Sequence, residues 1–226
     1  MNMNIAFYVS GNATRLNKLI DLNNEEIIQS TKAVFSDDKE TIYLKDKLEE
    51  FNIPYFLCDY SEIPADKRQK NFILSDRLLE ILQEYKIDYC FSFGAQILKG
   101  ELLQIYKNKI INFHPSVLPL FSGRAAIDRA VEANVKLLGN TAHFIDAGID
   151  TGPIILQSIV SIKAFYIDGY DAVLDIQIDM LQIIFELLKN KRIKVINNRV
   201  HINEADYSAY AIFPKVDTSN TSFGID

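Results

Sequence analysis

Short apolar runs alternate with helically spaced segments along the first half of this sequence, and this alternation constrains the fold most strongly. Five runs are typical of strands buried on both faces: residues 5–9, 31–36, 53–58, 89–93 and 110–113. The intervals between them carry apolar residues at helical spacing, most clearly in residues 66–86. Strands that alternate with helices form right-handed βαβ units, so the pattern predicts an α/β fold whose parallel sheet is flanked by helices.

The pattern changes beyond residue 135. Three further elements are predicted there: strands at residues 140–145 and 153–162, and a long helix at residues 168–191. Two short strands then flank Asn197-Asn198, a dipeptide typical of a two-residue hairpin turn. We therefore expect the C-terminal half to add strands and a terminal hairpin, followed by a polar, frayed tail over residues 217–226.

Ligands of such sheets bind beyond the carboxyl ends of the strands, so the turns that follow the strands are the candidate sites. Asn112 and His114 alternate at the end of the run 110–113, and side chains two residues apart lie on the same side of a strand. Pro115 and Pro119 stiffen the loop that follows. A histidine in this position is suited to proton transfer near neutral pH, and the alternative is a histidine that only caps the strand.

A glycine-containing loop between the two later strands carries Asp146 and Asp150. A carboxylate that reaches His114 from this loop would hold the imidazole in one tautomer and raise its pKa. The alternative is an ordinary turn, which suits Asp146 better than Asp150. His143 falls within a strand, where we expect a packed, hydrogen-bonded core residue.

The turn after the first strand, residues 10–15, leads into a helix. Backbone N–H groups at such a turn can bind an anion, and the alternative is a helix capped by Asn12 or Thr14. The turn matches neither the dinucleotide-binding fingerprint nor the Walker loop.

These separate stretches together resemble one family. The stretch from Asn112 to Gly123 reads N-x-H-P-S-x-L-P-x-x-x-G, and His143-Phe and Asp150-Thr-Gly-Pro follow at similar spacing. Residues 4–165 thus resemble the 10-formyltetrahydrofolate-dependent formyltransferases, above all those that act on glycinamide ribonucleotide. The resemblance implies a Rossmann-like formyltransferase fold. It also implies transfer of a formyl group from 10-formyltetrahydrofolate to a primary amine, first of all that of 5′-phosphoribosylglycinamide in purine biosynthesis.

The resemblance also implies roles for individual residues. The family's catalytic set matches Asn112, His114 and Asp150. The implied folate-binding residues are Phe93, Gly94, Ala95, Gln96, Ile97, Leu98 and Asp146. The implied acceptor-binding residues are Gly11, Asn12, Ala13, Thr14, Arg15, Pro115 and Gly123. The family implies one unit with two halves, a Rossmann-like acceptor-binding half over residues 1–108 and a catalytic and folate-binding half over residues 109–216.

The implied chemistry is an acyl transfer. The Asn112 amide and a protonated His114 would donate hydrogen bonds to the formyl oxygen as negative charge develops on it. Asp150 would hold His114 and help to move protons from the incoming amine to the leaving nitrogen. No metal is expected, because the chain's only histidines offer no ligand cluster: His114, His143 and His201.

The sequence departs from the family's pattern on the acceptor side. The first loop, which usually reads Gly-Asn-Gly-Ser-Asn, has Ala13 and Arg15, and Arg15 would bind a phosphate. The family's Glu that contacts the acceptor's ribose is missing from the long helix, where Gln177 or Asp179 would replace it, and Gln96 stands where an Arg is common. These departures leave a nucleotide-linked amino sugar as the alternative acceptor. A non-catalytic folate- or nucleotide-binding protein is a further alternative.

Composition limits the partners. The chain has 24 Lys and Arg against 30 Asp and Glu, and a net charge of −6 disfavours nucleic acid and with it the tRNA formyltransferases. No apolar run has the length of a membrane helix, the first residues lack a signal peptide, and Cys58 and Cys90 are expected to be buried thiols, so we expect a cytoplasmic protein. We expect a small-molecule amine acceptor with a phosphate or nucleotide group, and a monomer or a homodimer.

Overall fold

Seven strands form one sheet in the part of the chain that the computed structural model describes, which is residues 3–208 and Phe213. The strand order is β3-β2-β1-β4-β5-β6-β7. The strands are β1 (Ile5–Val9), β2 (Thr31–Ser36), β3 (Tyr55–Leu57), β4 (Tyr89–Phe93), β5 (Ile110–His114), β6 (Leu137–Phe144) and β7 (Ile154–Ser161). Strands β1 to β5 pair in parallel, whereas β6 is antiparallel to both β5 and β7. The predicted α/β fold with a mostly parallel sheet is confirmed.

Helices cover the sheet, and a hairpin follows the last of them. The helices are α1 (Thr14–Asp21), α2 (Glu25–Ser30), α3 (Leu44–Glu49), α4 (Lys67–Glu84), α5 (Leu102–Ile105), α6 (Ala126–Glu132), α7 (Ile162–Asp168), α8 (Asp171–Leu174) and α9 (Ile176–Lys189). The hairpin consists of β8 (Ile193–Ile196) and β9 (Arg199–Ile202). Its turn residues Asn197 and Asn198 have φ of 50° and 60°, the left-handed backbone that a two-residue turn requires, and the predicted hairpin is confirmed.

Both faces of the sheet are buried, which explains why its strands are apolar throughout. Phe7 and Phe91 face one core together with side chains of α1 and α9. Tyr8 and Cys90, the next residues on the same strands, face the opposite core together with α4. The sheet is therefore a rigid support, and only the loops at its edges are free to carry a site.

Some predicted bounds differ from the observed ones. The helix predicted over residues 168–191 is observed as two helices, α8 and α9, which meet at Asp175, and Gly169, with a φ of 66°, ends α7 just before them. The last strand of the sheet stops one residue early, because Ser161 Oγ accepts a hydrogen bond from the Lys163 N–H and caps α7 instead. The helix expected between the fourth and fifth apolar runs is only the single turn α5.

The boundary expected at residue 108 falls between β4 and β5, which pair directly from Cys90 and Ile110 to Ser92 and Asn112. One sheet therefore runs through both expected halves, and their division into an acceptor-binding and a catalytic half stays a prediction. The expected frayed tail at residues 217–226 lies outside the described residues. Within the described ranges, no helix is both long and apolar enough to cross a membrane.

Candidate active site

A cleft of about 610 Å³ opens at the carboxyl ends of β4 and β5. Its walls are the segment after β4, the end of β5 with the loop that follows, and the loop between β6 and β7. This is the edge at which parallel sheets bind their ligands. Asn112, His114 and Asp150 all line the cleft, so the structure brings together side chains from two distant stretches of chain.

Asn112 is oriented by a residue of the neighbouring strand. Asn112 and His143 lie opposite each other in the antiparallel pairing of β5 with β6, and Asn112 Nδ2 is 3.2 Å from His143 Nε2. The other ring nitrogen of His143, Nδ1, is 2.9 Å from the carbonyl oxygen of Phe144, which can only accept a hydrogen bond. His143 Nδ1 therefore carries the proton and Nε2 accepts from Asn112. This bond turns the amide nitrogen of Asn112 toward His143 and fixes its orientation.

Asp150 joins the two loops that enclose His114. Its Oδ2 accepts a hydrogen bond from the Gly123 N–H at 2.7 Å and lies 3.3 Å from His114 Nδ1. Its Oδ1 lies 3.7 Å from His143 Nε2. The backbone of Asp150 is left-handed, with a φ of 54°, and this turn of the loop is what aims the carboxylate inward.

The pKa of Asp150 lies below its ordinary value. Burial by itself raises this pKa, but the contact with His143 and the hydrogen bond from the Gly123 N–H, with a smaller attraction from His114, outweigh it. The carboxylate is therefore ionised at neutral pH. An ionised Asp150 accepts hydrogen bonds only, so its contact with a facing imidazole nitrogen is favourable when that nitrogen carries a proton.

His114 is buried, and both of its ring nitrogens face oxygen acceptors. Nδ1 faces Asp150, and Nε2 is 3.0 Å from the carbonyl oxygen of Phe121. Burial lowers the pKa of His114 and outweighs the raising effects of the Phe121 carbonyl and of Asp150. The sequence predicted a raised pKa and a protonated imidazole. Asp150 does act in the expected direction, but desolvation is larger, so the net direction of the predicted shift is wrong and His114 is neutral at pH 7 in the free protein.

The segment expected to bind folate forms one wall of the same cleft. Residues 93–98 and Asp146 all line it. The segment is tied to the turn after β1, because the Ala95 N–H donates to Ser10 Oγ at 2.7 Å. Asp146 also serves its own turn, since its Oδ1 accepts from the Gly148 N–H at 3.0 Å and from the Thr151 hydroxyl at 2.7 Å.

The residues expected to bind the acceptor are divided. Arg15, Pro115 and Gly123 line the cleft, whereas residues 11–14 are not among its lining residues. Ala13 occupies the residue before α1 with a left-handed φ of 43°, and no side chain caps this helix. The alternative interpretation of the turn, a cap by Asn12 or Thr14, is therefore wrong.

Arg15 lies between an aromatic ring and a buried amide. Its guanidinium is 4.5 Å from the centroid of the Phe93 ring, and its Nη1 donates to Gln177 Oε1 at 2.5 Å. Burial lowers the pKa of Arg15 to about 10, so it keeps its charge at neutral pH. Asp179, the other residue considered for this position on the long helix, is exposed. Gln177 is the helix residue that reaches this part of the site.

His143 is the residue of this cluster whose part the sequence analysis missed. It was expected to be a packed core histidine, and it is buried and hydrogen-bonded as expected. It also lines the cleft and contacts both Asn112 and Asp150. The information needed to find it was the register of β5 with β6, which places His143 directly opposite Asn112.

The cluster is suited to acyl-transfer chemistry. It offers an amide N–H donor, a neutral imidazole and an ionised carboxylate within one cleft. Such a set can accept a proton from an attacking nucleophile and donate a hydrogen bond to an oxygen that gains negative charge. The described residues hold no group of three or more His, Cys, Asp or Glu side chains arranged to bind a metal ion.

Known proteins of one family are similar to this chain in sequence and in fold. A family model described as "Formyl transferase" matches residues 3–169. A phosphoribosylglycinamide formyltransferase from Bacillus subtilis is 35% identical over 167 residues, which are 74% of this chain and 80% of that protein. A formyltetrahydrofolate deformylase from Haemophilus influenzae is 34% identical over 124 residues, which are 54% of this chain and 42% of that protein. The crystal structure of glycinamide ribonucleotide transformylase 1 from Symbiobacterium toebii matches with a TM-score of 0.76 and 29% identity, covering 88% of this chain and 93% of that one.

Proposed function

The chain belongs to the formyl transferase family, and on that premise we propose that it transfers a formyl group from 10-formyltetrahydrofolate to the primary amine of 5′-phosphoribosylglycinamide. The observation that carries the proposal is the convergence of Asn112, His114 and Asp150 on one cleft. The relatives' names supply the donor class and the acceptor, and the geometry supplies a chemical part for each of the three side chains.

The cleft suits a reduced folate. Ligand sites of small molecules commonly measure about 300–1,000 Å³, and this one measures about 610 Å³. Two large apolar side chains of its lining, Ile97 and Ile149, are substantially exposed, which is costly unless a ligand covers them.

Each side chain of the cluster then has a defined part. Asn112, with its amide nitrogen held by His143, donates an N–H to the formyl oxygen as that oxygen gains negative charge. His114, neutral at rest, accepts a proton from the attacking amine and later returns it to the leaving nitrogen. The Phe121 carbonyl keeps the proton of neutral His114 on Nε2, and Asp150 faces Nδ1, where it stabilises the imidazolium while His114 holds the transferred proton.

The acceptor is assigned to the side of the cleft that Arg15 lines. The first turn of α1 has no side-chain cap and no acidic residue, so its N–H groups are available to an anion. Arg15 is the second residue of this turn, lines the cleft and carries a positive charge. A phosphate placed between the two would leave the amine of the acceptor free to extend toward His114.

A donor-consumption assay tests the proposal. The protein would be mixed with 10-formyltetrahydrofolate alone, with 5′-phosphoribosylglycinamide, or with a nucleotide-linked amino sugar, and tetrahydrofolate and formylated product would be measured. We expect turnover with phosphoribosylglycinamide and stoichiometric formylation of its amine. Equal release of formate without any amine would instead show a deformylase, turnover with the amino sugar alone would show the other acceptor, and binding of the donor without any turnover would contradict an enzymatic role.

A further inference from the structure

A series of hydrogen-bonded, buried amide side chains connects the interior of the protein with Arg15. Gln177 and Asn140 are both fully buried. Gln177 Nε2 donates to Asn140 Oδ1 at 2.7 Å, and Asn140 Nδ2 donates to the carbonyl oxygen of Val173 at 2.8 Å and to Ser158 Oγ at 3.1 Å. At the outer end of this amide series, Arg15 Nη1 donates to Gln177 Oε1 at 2.5 Å.

The hydrogen bonds of this amide series can run in only one direction. A backbone carbonyl can only accept, so Val173 obliges Asn140 to present its nitrogen there and its oxygen toward Gln177. Gln177 must then present its nitrogen to Asn140, and its oxygen can only face Arg15. Buried amides with every partner satisfied are costly to rearrange, so the acceptor aimed at Arg15 is fixed. Arg15 is thereby held against the Phe93 ring at the wall of the cleft.

The partner that holds Arg15 carries no charge. No carboxylate of the described residues lies within ion-pair distance of Arg15, whereas several half-buried lysines have such partners. A glutamate at position 177 would also bind the guanidinium, but it would neutralise the charge and would place an acceptor against Asn140 Oδ1. The glutamine holds the guanidinium and leaves its positive charge uncompensated. A largely desolvated cation without a counterion is stabilised strongly by an anionic ligand.

We infer that Gln177, oriented by Asn140, is a positioning residue that determines acceptor specificity: it presents Arg15 as an uncompensated cation and so selects acceptors that carry a phosphate. This inference rests on the proposed function for the identity of the reaction, but the binding preference belongs to the protein alone. Gln177 contacts Arg15, is fully buried and does not line the cleft, so it acts on binding through the charge and position of the guanidinium.

A binding experiment tests the inference without turnover. It compares ribose 5-phosphate with ribose, which lacks the charged phosphate and serves as the control ligand. Both would be titrated into the whole protein and followed by phosphorus NMR and calorimetry. We expect binding of the phosphate compound and none of ribose at the same concentrations. Gln177→Glu adds one carboxylate beside Arg15. We expect this variant to bind ribose 5-phosphate about tenfold or more weakly, because a charge-assisted contact is lost. Gln182→Glu is the matched control, since it adds the same charge to α9 at a residue outside the lining of the cleft.

A double-mutant cycle separates positioning from a structural effect. In an Arg15→Met protein, Gln177→Glu should lower the affinity for ribose 5-phosphate by less than it does in the wild type, because only the direct repulsion between carboxylate and phosphate remains. In turnover assays, Gln177→Glu should raise the KM for the acceptor and leave kcat and the KM for the folate within about twofold. Melting temperatures of all variants check that the fold is kept.

Three results would overturn the inference. They are equal binding of ribose and ribose 5-phosphate, an unchanged affinity in Gln177→Glu, and an equal loss in Gln182→Glu. Failure of the proposed function looks different, because phosphoribosylglycinamide would then not be formylated while ribose 5-phosphate still bound in the Arg15- and Gln177-dependent manner.

Discussion

Replacing Gly94 by alanine tests how the folate-facing wall is held. A Cβ built on Gly94 would lie 2.0 Å from Tyr8 Cε1 and 2.3 Å from Tyr8 Cζ, far inside any tolerated contact. The Tyr8 ring has no room to move, because it is fully buried, its hydroxyl donates to Asp37 Oδ2 at 2.5 Å, and it packs against Phe35 with ring centroids 5.8 Å apart. The backbone of the wall must therefore move instead.

The cost follows from these contacts. Overpacking of a rigid core costs about 1–3 kcal/mol, and loss of the hydrogen bond from Ala95 N–H to Ser10 Oγ adds about 1 kcal/mol. A destabilisation of about 2–4 kcal/mol lowers the melting temperature of a chain of this size by about 4–16 °C. Because the same movement displaces residues 94–96, we also expect the KM for the folate to rise by about tenfold.

Thermal denaturation and donor titration measure the two effects. Gly169→Ala is the matched control: Gly169 has a φ of 66° and no atom within 4 Å of a built Cβ, so the variant strains the backbone without a clash and away from the cleft. It should lower the melting temperature and leave the KM for the folate unchanged. A Gly94→Ala protein that melts within about 2 °C of the wild type, with unchanged folate kinetics, would refute the reasoning.

Three further predictions concern the cluster. The pKa of His114 lies below its ordinary value and the neutral form is the reactive one, so the rate of formyl transfer should fall as the pH drops through that lowered pKa. Asp150→Asn removes a charge that raises the pKa of His114. Histidine NMR titration of this variant should therefore show a still lower pKa of His114. Arg15→Ala should raise the KM for the acceptor with little effect on that for the folate, and an unchanged acceptor KM would exclude a part in its binding. His143→Phe should slow turnover by about ten- to a hundredfold without changing either KM, since it frees the Asn112 amide to rotate, and full activity would show that this hydrogen bond is dispensable.

The positions of Asn112 and His114 were accessible from the sequence because they depend on strand periodicity alone. Two residues apart at the end of a buried parallel strand, they had to point to one side, at the edge where ligands bind. The alternation of strands and helices likewise depends on local patterns and was predicted for the same reason. The α/β class and the hairpin at Asn197-Asn198 followed from such local rules.

Other features depend on tertiary structure that local patterns do not contain. The pairing of His143 with Asn112 requires the antiparallel register of β6 on β5. The choice of Gln177 over Asp179 depends on how α9 packs against the rest of the protein, which buries Gln177 and leaves Asp179 exposed. The direction of the His114 pKa shift depends on how deeply the ring is buried, and a sequence shows the partner Asp150 but not the depth.

Single-turnover formyl transfer in Asn112→Ala, His114→Ala and Asp150→Ala proteins tests most directly whether these three side chains carry the chemistry. With 10-formyltetrahydrofolate and 5′-phosphoribosylglycinamide at saturating concentrations, each variant should transfer the formyl group about a hundred- to a thousandfold more slowly than the wild type. Circular dichroism should show the same fold in all four proteins. A correctly folded His114→Ala protein that transfers at nearly the wild-type rate would contradict the assignment of the cleft as the catalytic centre.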